Sequence, residues 1–140
     1  MIVLDTNVLS ELTRARPEAS VLAWLDGCDP EELATTAITV AELCFGVELL
    51  PNGRREDEIR AAVFEILAEE LDIEPFDESS ARAYAQPAAH RRQAGKPVSL
   101  ADGQIAAICH SLDATLATRN VDDFAGFGIH VVNPWTHPIK

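Results

Sequence analysis

The chain lacks any long run of apolar residues, although apolar residue types make up 47% of its 140 positions. A helix that crosses a bilayer needs about 20 consecutive apolar residues, so we expect neither a transmembrane segment nor a membrane partner. The start also lacks the basic stretch of a secretory signal peptide, because Asp5 follows a short apolar run at once. We therefore expect a cytoplasmic protein that forms a single domain over residues 1–140.

Cysteine is also scarce, with Cys28, Cys44 and Cys109 as its only representatives. Their number is odd and their spacings are unrelated, which is untypical of a disulfide framework or a zinc site. We expect three free thiols in a reducing compartment.

Basic residues are few, with 11 Lys and Arg against 23 Asp and Glu and a net charge of −12. Proteins that bind nucleic acid through its phosphates usually carry a basic patch. Two interpretations remain: the chain does not contact nucleic acid, or divalent cations and a few local basic residues compensate for its acidity. The local candidates are Arg14 with Arg16, Arg54 with Arg55, and Arg91 and Arg92 with Lys96.

The chain alternates between short β-branched or apolar runs and longer segments of helical pattern. The pattern predicts strands at residues 1–4, 33–35, 73–76, 114–118 and 129–132, and helices at residues 7–14, 19–28, 39–50, 54–71, 79–94 and 100–112. This alternation indicates an α/β sandwich with a largely parallel central sheet. The carboxyl ends of such strands meet at one edge, where ligands bind.

Three acidic residues lie where the predicted strands and helices would place them along that edge. Asp5 ends the first strand, while Glu42 and Asp102 each lie in the first turn of a predicted helix. Positions i+3, i+4 and i+7 share a helix face with position i. Those neighbours are mostly apolar: Phe45, Gly46 and Leu49 for Glu42, and Ile105, Ala106 and Cys109 for Asp102. We expect both faces to point inward, where an unpaired carboxylate costs several kcal/mol, so a bound cation is the simplest explanation.

Helix capping is an alternative role for each of these acids. The pairs Thr39 with Glu42 and Ser99 with Asp102 fit the spacing of a capping box, and Asp5 could cap the first helix. The two roles are compatible, because the amino terminus of a helix favours an ionised acid.

Carboxylate ligands without His or Cys suit Mg²⁺ or Mn²⁺ rather than zinc. Clusters of three or four carboxylates that hold one or two such ions commonly hydrolyse phosphodiesters through metal-activated water. A further ligand is expected from the loop after the penultimate strand, where Asn120, Asp122 and Asp123 are candidates. The spacing of these residues does not choose among them.

In sequence and order, several segments resemble the PIN-domain ribonucleases, most closely the VapC-type toxins of bacterial toxin–antitoxin pairs. These segments are residues 2–7, 38–43 with Gly46, 101–107, 117–120 with 123–124, and 132–135, the last of which is similar to the FitB subgroup. The likeness spans nearly the whole chain, and the segments together are far more specific than any one alone.

The resemblance implies a PIN-like α/β/α sandwich and Mg²⁺- or Mn²⁺-dependent endonucleolytic cleavage of RNA. It implies that Asp5, Glu42 and Asp102 are catalytic, metal-binding acids and that Asp123 is the fourth. It also implies that Thr6 and Asn120 make supporting contacts with the ion site. It also implies a VapB-type antitoxin and a homodimer within a larger toxin–antitoxin assembly.

Three other functions are weighed against this one. A receiver-like module with Asp5 as phosphate acceptor usually has additional acids beside the end of the first strand, but Thr6 and Asn7 follow here. A DNA nuclease related to flap endonucleases usually needs DNA-gripping elements that a compact acidic chain lacks. A catalytically inactive PIN-like binding module is disfavoured, because all three core acids are present.

Overall fold

A computed structural model of the chain describes residues 1–69 and 71–137. Within these residues the strands are β1 (Ile2–Leu4), β2 (Leu33–Thr36), β3 (Asp72–Glu74), β4 (Thr115–Ala117) and β5 (Val131–Val132). The helices are α1 (Thr6–Leu12), α2 (Ala19–Asp26), α3 (Ala37–Glu48), α4 (Arg54–Ala68), α5 (Glu78–Gln93) and α6 (Leu100–Leu112), with short 3₁₀ turns at Pro30–Glu32 and Val121–Phe124.

The strands form one sheet in the order β3-β2-β1-β4-β5, and every neighbouring pair is parallel. The prediction of an α/β fold with a largely parallel sheet is confirmed. From β1 the chain first extends the sheet through β2 and β3, and it later returns to add β4 and β5 on the opposite side of β1. The strand order therefore reverses between β1 and β4, and such a reversal opens a crevice at the carboxyl edge of the sheet.

The core lies on both faces of the sheet, and β1 contributes to each. Val3 packs in a cluster with residues of α6, whereas Leu4 packs in a second cluster with residues of α1, α3 and α4. Successive strand residues point to opposite faces, so a strand covered on both sides must be apolar throughout. This explains the unbroken apolar run before Asp5 and fixes the backbone that carries that acid.

Helix α3 begins earlier than the sequence predicts. The Thr36 side chain accepts a hydrogen bond from the Thr39 amide at 3.1 Å and so caps the helix. Thr39 is therefore inside the helix, and Glu42 lies in the second turn rather than the first. The capping-box interpretation of Thr39 and Glu42 is wrong, because the free amides of the first turn lie before Glu42.

The prediction that apolar neighbours point inward is right for α6 and wrong for α3. Ile105, Ala106 and Cys109 are fully buried. Phe45 and Leu49, by contrast, are 65% and 68% exposed. The buried face of α3 consists of Thr39, Leu43 and Val47. That face is offset by one position from the stripe that contains Glu42, so the acid projects beside the core rather than into it.

The cysteines and the lengths of the helices are two further features of the fold. The three cysteines are free thiols, and Cys109 is buried. Among the helices of the described residues, none combines the length and the apolar character that crossing a membrane requires.

Candidate active site

Asp5 stands at the crevice between β1 and β4 and is only 4% exposed. Its carboxylate accepts hydrogen bonds from the Thr6 amide at 2.8 Å and from the Thr118 hydroxyl at 2.7 Å. The first bond caps α1, so the capping role predicted for this acid is real. The second bond joins the ends of the two strands that flank the crevice. The carboxylate is thereby fixed in one orientation.

Asp5, Glu42 and Asp102 line one open cavity of about 360 Å³. They reach it from the end of β1, the second turn of α3 and the first turn of α6. The other lining residues are Thr6, Asn7, Ser10, Arg119, Asn120 and Trp135. The structure thus gathers the three acids that the sequence singles out, together with both predicted supporting residues, Thr6 and Asn120.

Burial makes the Asp5 carboxylate hard to ionise. Loss of solvent raises the pKa of Asp5 from 3.8 to about 6. The hydrogen bonds from Thr118 and Thr6 lower this pKa, while the negative charges of Asp102 and Glu42 raise it. A buried carboxylate surrounded by like charges is a group that a cation would stabilise.

Asp102 lines the same cavity and is also partly buried near other negative charges. Burial raises the pKa of Asp102, and a hydrogen bond with the Ser99 side chain lowers it. The charges of Glu42 and Asp123 raise this pKa, whereas the Arg91 guanidinium lowers it. Ser99 also caps α6 by accepting from the Asp102 amide at 3.2 Å, so the serine half of the predicted capping box is present here.

Glu42 is held by α1 rather than by its own helix. The Thr6 hydroxyl donates to the Glu42 carboxylate at 2.7 Å, while the Thr6 amide donates to Asp5. Thr6 is therefore a bridge between two of the acids. This arrangement gives a physical reason for a hydroxyl residue directly after the first acid.

The three candidate ligands of the loop after β4 differ in their distance from the three acids. Asn120 lines both the cavity of the three acids and a neighbouring cavity of about 410 Å³, whereas Asp122 and Asp123 line the neighbouring cavity. Of these two aspartates, Asp123 is the one whose negative charge raises the pKa of Asp102. Arg91 fixes the backbone of this loop by donating to the carbonyl oxygens of Asp123 and Ala125.

The donor atoms of the cavity fit a hard divalent cation better than they fit zinc. Its acidic ligands are all carboxylates, and no His or Cys is among the described residues that line it. As they stand, no three acidic, His or Cys side chains in residues 1–69 and 71–137 are close enough together to form a metal site. The carboxylates repel one another, and Thr6 restrains Glu42. Glu42 and Asp102 are more exposed than Asp5, and both would have to turn inward for all three acids to bind one cation.

Sequence reasoning assigns no role in the site to Thr118, Arg119 or Trp135, and it considers Arg91 only as part of a basic cluster. The guanidinium of Arg119 lies over the Trp135 ring, 5.2 Å from its centroid. Both residues lie in segments that resemble the family, but only folding brings Trp135 from beyond β5 to the end of β4.

The comparisons with known proteins agree with this architecture. The family model described as PIN domain matches residues 2–128. The VapC ribonuclease Y4jK of Sinorhizobium fredii is 42% identical over 139 residues, which cover 96% of this chain and 98% of that protein. Toxin FitB of Neisseria gonorrhoeae is 41% identical over 139 residues, covering 96% and 99%. The crystal structure of FitAcB from Neisseria gonorrhoeae has a TM-score of 0.87 at 40% identity, covering 98% of this chain and 100% of that one. The chain therefore belongs to the PIN-domain family, with relatives of the VapC and FitB type.

Proposed function

We propose that this protein is a divalent-metal-dependent endoribonuclease that acts as the toxin of a toxin–antitoxin pair. The observation that carries the proposal is the buried Asp5 carboxylate, which shares one cavity with Glu42 and Asp102 at the crevice of a parallel sheet. The relatives named VapC ribonuclease and Toxin FitB support the same activity and role for this chain.

Asp5, Glu42, Asp102 and Asp123 are the proposed metal-binding and catalytic acids, and the ion is Mg²⁺ or Mn²⁺. Such an ion, when bound, lowers the pKa of an attacking water and stabilises the leaving oxygen. The protein's own contribution is positioning. Asp5 is held by hydrogen bonds from Thr6, Thr118 and Asn7, while the more exposed acids can turn toward it.

Thr6 and Asn120 are proposed to support the site rather than to react. Thr6 orients Glu42 through its hydroxyl and Asp5 through its amide. Asn120 lines the same cavity, and its side-chain amide oxygen would be a neutral ligand there. Neutral oxygens complete a coordination shell without adding to the repulsion among the carboxylates.

The direct test is cleavage of RNA by the purified protein, with and without EDTA. Asp5→Asn and Asp102→Asn should abolish cleavage, and Asp26→Asn, at the exposed end of α2, should not. Circular dichroism would establish that each variant is folded. Full activity in either site variant, or cleavage that persists in EDTA, would contradict the proposal.

The fourth acid requires a separate comparison. Asp123→Asn should reduce cleavage more strongly than Asp122→Asn, because Asp123 is the aspartate of this pair whose charge reaches Asp102. The two variants change the same charge at adjacent exposed positions, so each serves as the control for the other. Equal losses would show that the loop, rather than one carboxylate, is important.

A homodimer is part of the proposal, and the exposed face of α3 supports it. Ala37, Ala41, Phe45 and Leu49 recur at every fourth position and are all exposed. Side chains at this interval form one stripe along a helix, here small at one end and large at the other. Two antiparallel copies would pack large side chains against small ones, which favours a second copy of this chain as the occupant.

The proposed partner of the dimer is a VapB-type antitoxin, in a larger toxin–antitoxin assembly. The protein encoded directly beside this chain is the natural candidate. Co-expression should yield a complex that releases ribonuclease activity when the antitoxin is removed by proteolysis. A candidate that neither binds the toxin nor inhibits cleavage would be excluded as the partner.

A further inference from the structure

Arg119 is the basic side chain of the cavity that holds the three acids. Among the described residues that line this cavity, no other is Lys or Arg. The whole chain carries a net charge of −12, so an approaching polyanion meets a repulsive surface. A phosphate that enters the cavity therefore has one protein cation within reach.

The guanidinium of Arg119 rests on Trp135 rather than on a carboxylate. It lies 5.2 Å from the centroid of the indole ring, within the range of a cation–π contact. In the described part of the chain Arg119 takes part in no ion pair, although three acids line the same cavity. A cation–π contact uses none of the guanidinium N–H donors as hydrogen bonds, so they remain available to an anion.

The backbone around this pair is fixed by two asparagine side chains. The Arg119 amide donates to Asn7 Oδ1 at 3.2 Å, and its carbonyl accepts from Asn133 Nδ2 at 3.4 Å. The same Asn133 accepts from the Trp135 amide at 2.9 Å. Trp135 itself packs against the core cluster of α1, α3 and α4. The guanidinium thus rests on a ring that is held by the core.

The other basic groups of the structure are less suited to this task. Arg91 acts on Asp102 by charge, but its donors are used on the backbone carbonyls of Asp123 and Ala125. Arg14 pairs with the buried Glu11 and lines a different cavity, of about 400 Å³. Among the described residues, Arg119 alone combines a place among the three acids with donors that no ion pair uses.

We infer that Arg119, stacked on Trp135, binds a backbone phosphate of RNA beside the scissile bond, and that Trp135 keeps the guanidinium from pairing with the carboxylates. The inference rests on the proposed function, because it takes RNA as the substrate. An arginine fork matches the oxygens of a phosphate. It would compensate for the acidity of the chain at the one place where a phosphate must approach.

The test is steady-state cleavage of a short single-stranded RNA by Arg119→Gln at saturating Mg²⁺. KM should rise about 10- to 100-fold, as expected for loss of a hydrogen bond to a charged group, while kcat stays within about threefold. The slope of log kcat/KM against log salt should become shallower by about 0.7, the share of one phosphate contact. Arg82→Gln removes the same charge from the surface of α5 and should change neither quantity.

Variants of Trp135 separate positioning from contact with the substrate. Trp135→Leu should raise KM as Arg119→Gln does, and the double variant should be no worse than Arg119→Gln alone. Trp135→Phe keeps an aromatic face, so its KM should lie close to the wild-type value. This variant tests the role of the ring even if Trp135→Leu folds poorly. Thermal melting of each protein would establish that it is folded.

The possible results separate this inference from the proposed function. If the wild-type protein cleaves no RNA, both are wrong. If it cleaves RNA and Arg119→Gln shows the wild-type KM and salt slope, only the inference is overturned. A loss of kcat at unchanged KM would also overturn it, because Arg119 would then act in the transition state. Normal cleavage with weakened inhibition by the antitoxin would assign Arg119 to a protein interface instead.

Discussion

Replacing Asp5 by Asn should stabilise the metal-free protein at neutral pH, although it removes a proposed catalytic group. The Asp5 carboxyl is buried, and its pKa rises from 3.8 in solution to about 6 in the fold. A shift of this size corresponds to roughly 3 kcal/mol, because each pKa unit is about 1.4 kcal/mol. The folded protein therefore bears a penalty for ionising this one side chain.

The sign of the pH dependence follows from the raised pKa. Between about pH 4 and pH 6 the folded state binds more protons than the unfolded state, so the free energy of unfolding falls as pH rises. The stability contributed by protonated Asp5 is fully present below 3.8 and is lost as pH passes about 6. Asparagine stays neutral, and its single carbonyl oxygen can still accept from the Thr6 amide while its NH₂ group faces the Thr118 hydroxyl, so the variant should lack this loss.

Urea unfolding in EDTA at about pH 4 and about pH 7.5 would measure the difference. From the lower to the higher pH, the wild-type protein should lose up to about 3 kcal/mol more than Asp5→Asn. Asp26→Asn, at an exposed position, should follow the wild type. Added Mg²⁺ should stabilise the wild type at neutral pH more than Asp5→Asn. Parallel pH curves for wild type and Asp5→Asn would refute the reasoning.

Three other perturbations test the packing, the buried thiol and the exposed stripe. Gly103→Ala should lower the free energy of unfolding by about 1–3 kcal/mol, because the added Cβ would lie 2.6 Å from Tyr84 Cε2; a melting temperature equal to that of the wild type would contradict this. Burial raises the pKa of Cys109 to about 12, so a thiol reagent near neutral pH should modify it only after unfolding, as peptide mass mapping would show. The double variant Phe45→Asp, Leu49→Asp should be a monomer in light scattering and should retain its secondary structure. A dimer that persists would show that α3 is not part of the interface.

The sheet and its central acid could be predicted from the sequence because local patterns determine them. A buried parallel strand has to be apolar on both faces, and the acid that ends such a strand has to lie at the carboxyl edge. The apolar run before Asp5 meets both conditions. The helical face of α6 was equally predictable, because its apolar neighbours fill the core without a break.

What the sequence could not reveal depends on tertiary placement. Helix α3 starts earlier than predicted because Thr36, rather than Thr39, supplies the cap. Phe45 and Leu49 are exposed because α3 packs through Thr39, Leu43 and Val47, although their spacing alone is equally compatible with a core-facing stripe. The stacking of Arg119 on Trp135 joins segments from different strands, and no local pattern encodes such a contact.

The hydrogen bond between Thr118 and Asp5 joins residues 113 positions apart, and this separation has a consequence for synthesis. Asp5 leaves the ribosome well before the hydroxyl that orients it. A nascent or truncated chain that ends before β4 lacks the second wall of the crevice. The three acids can therefore share this crevice only after the ribosome has passed β4.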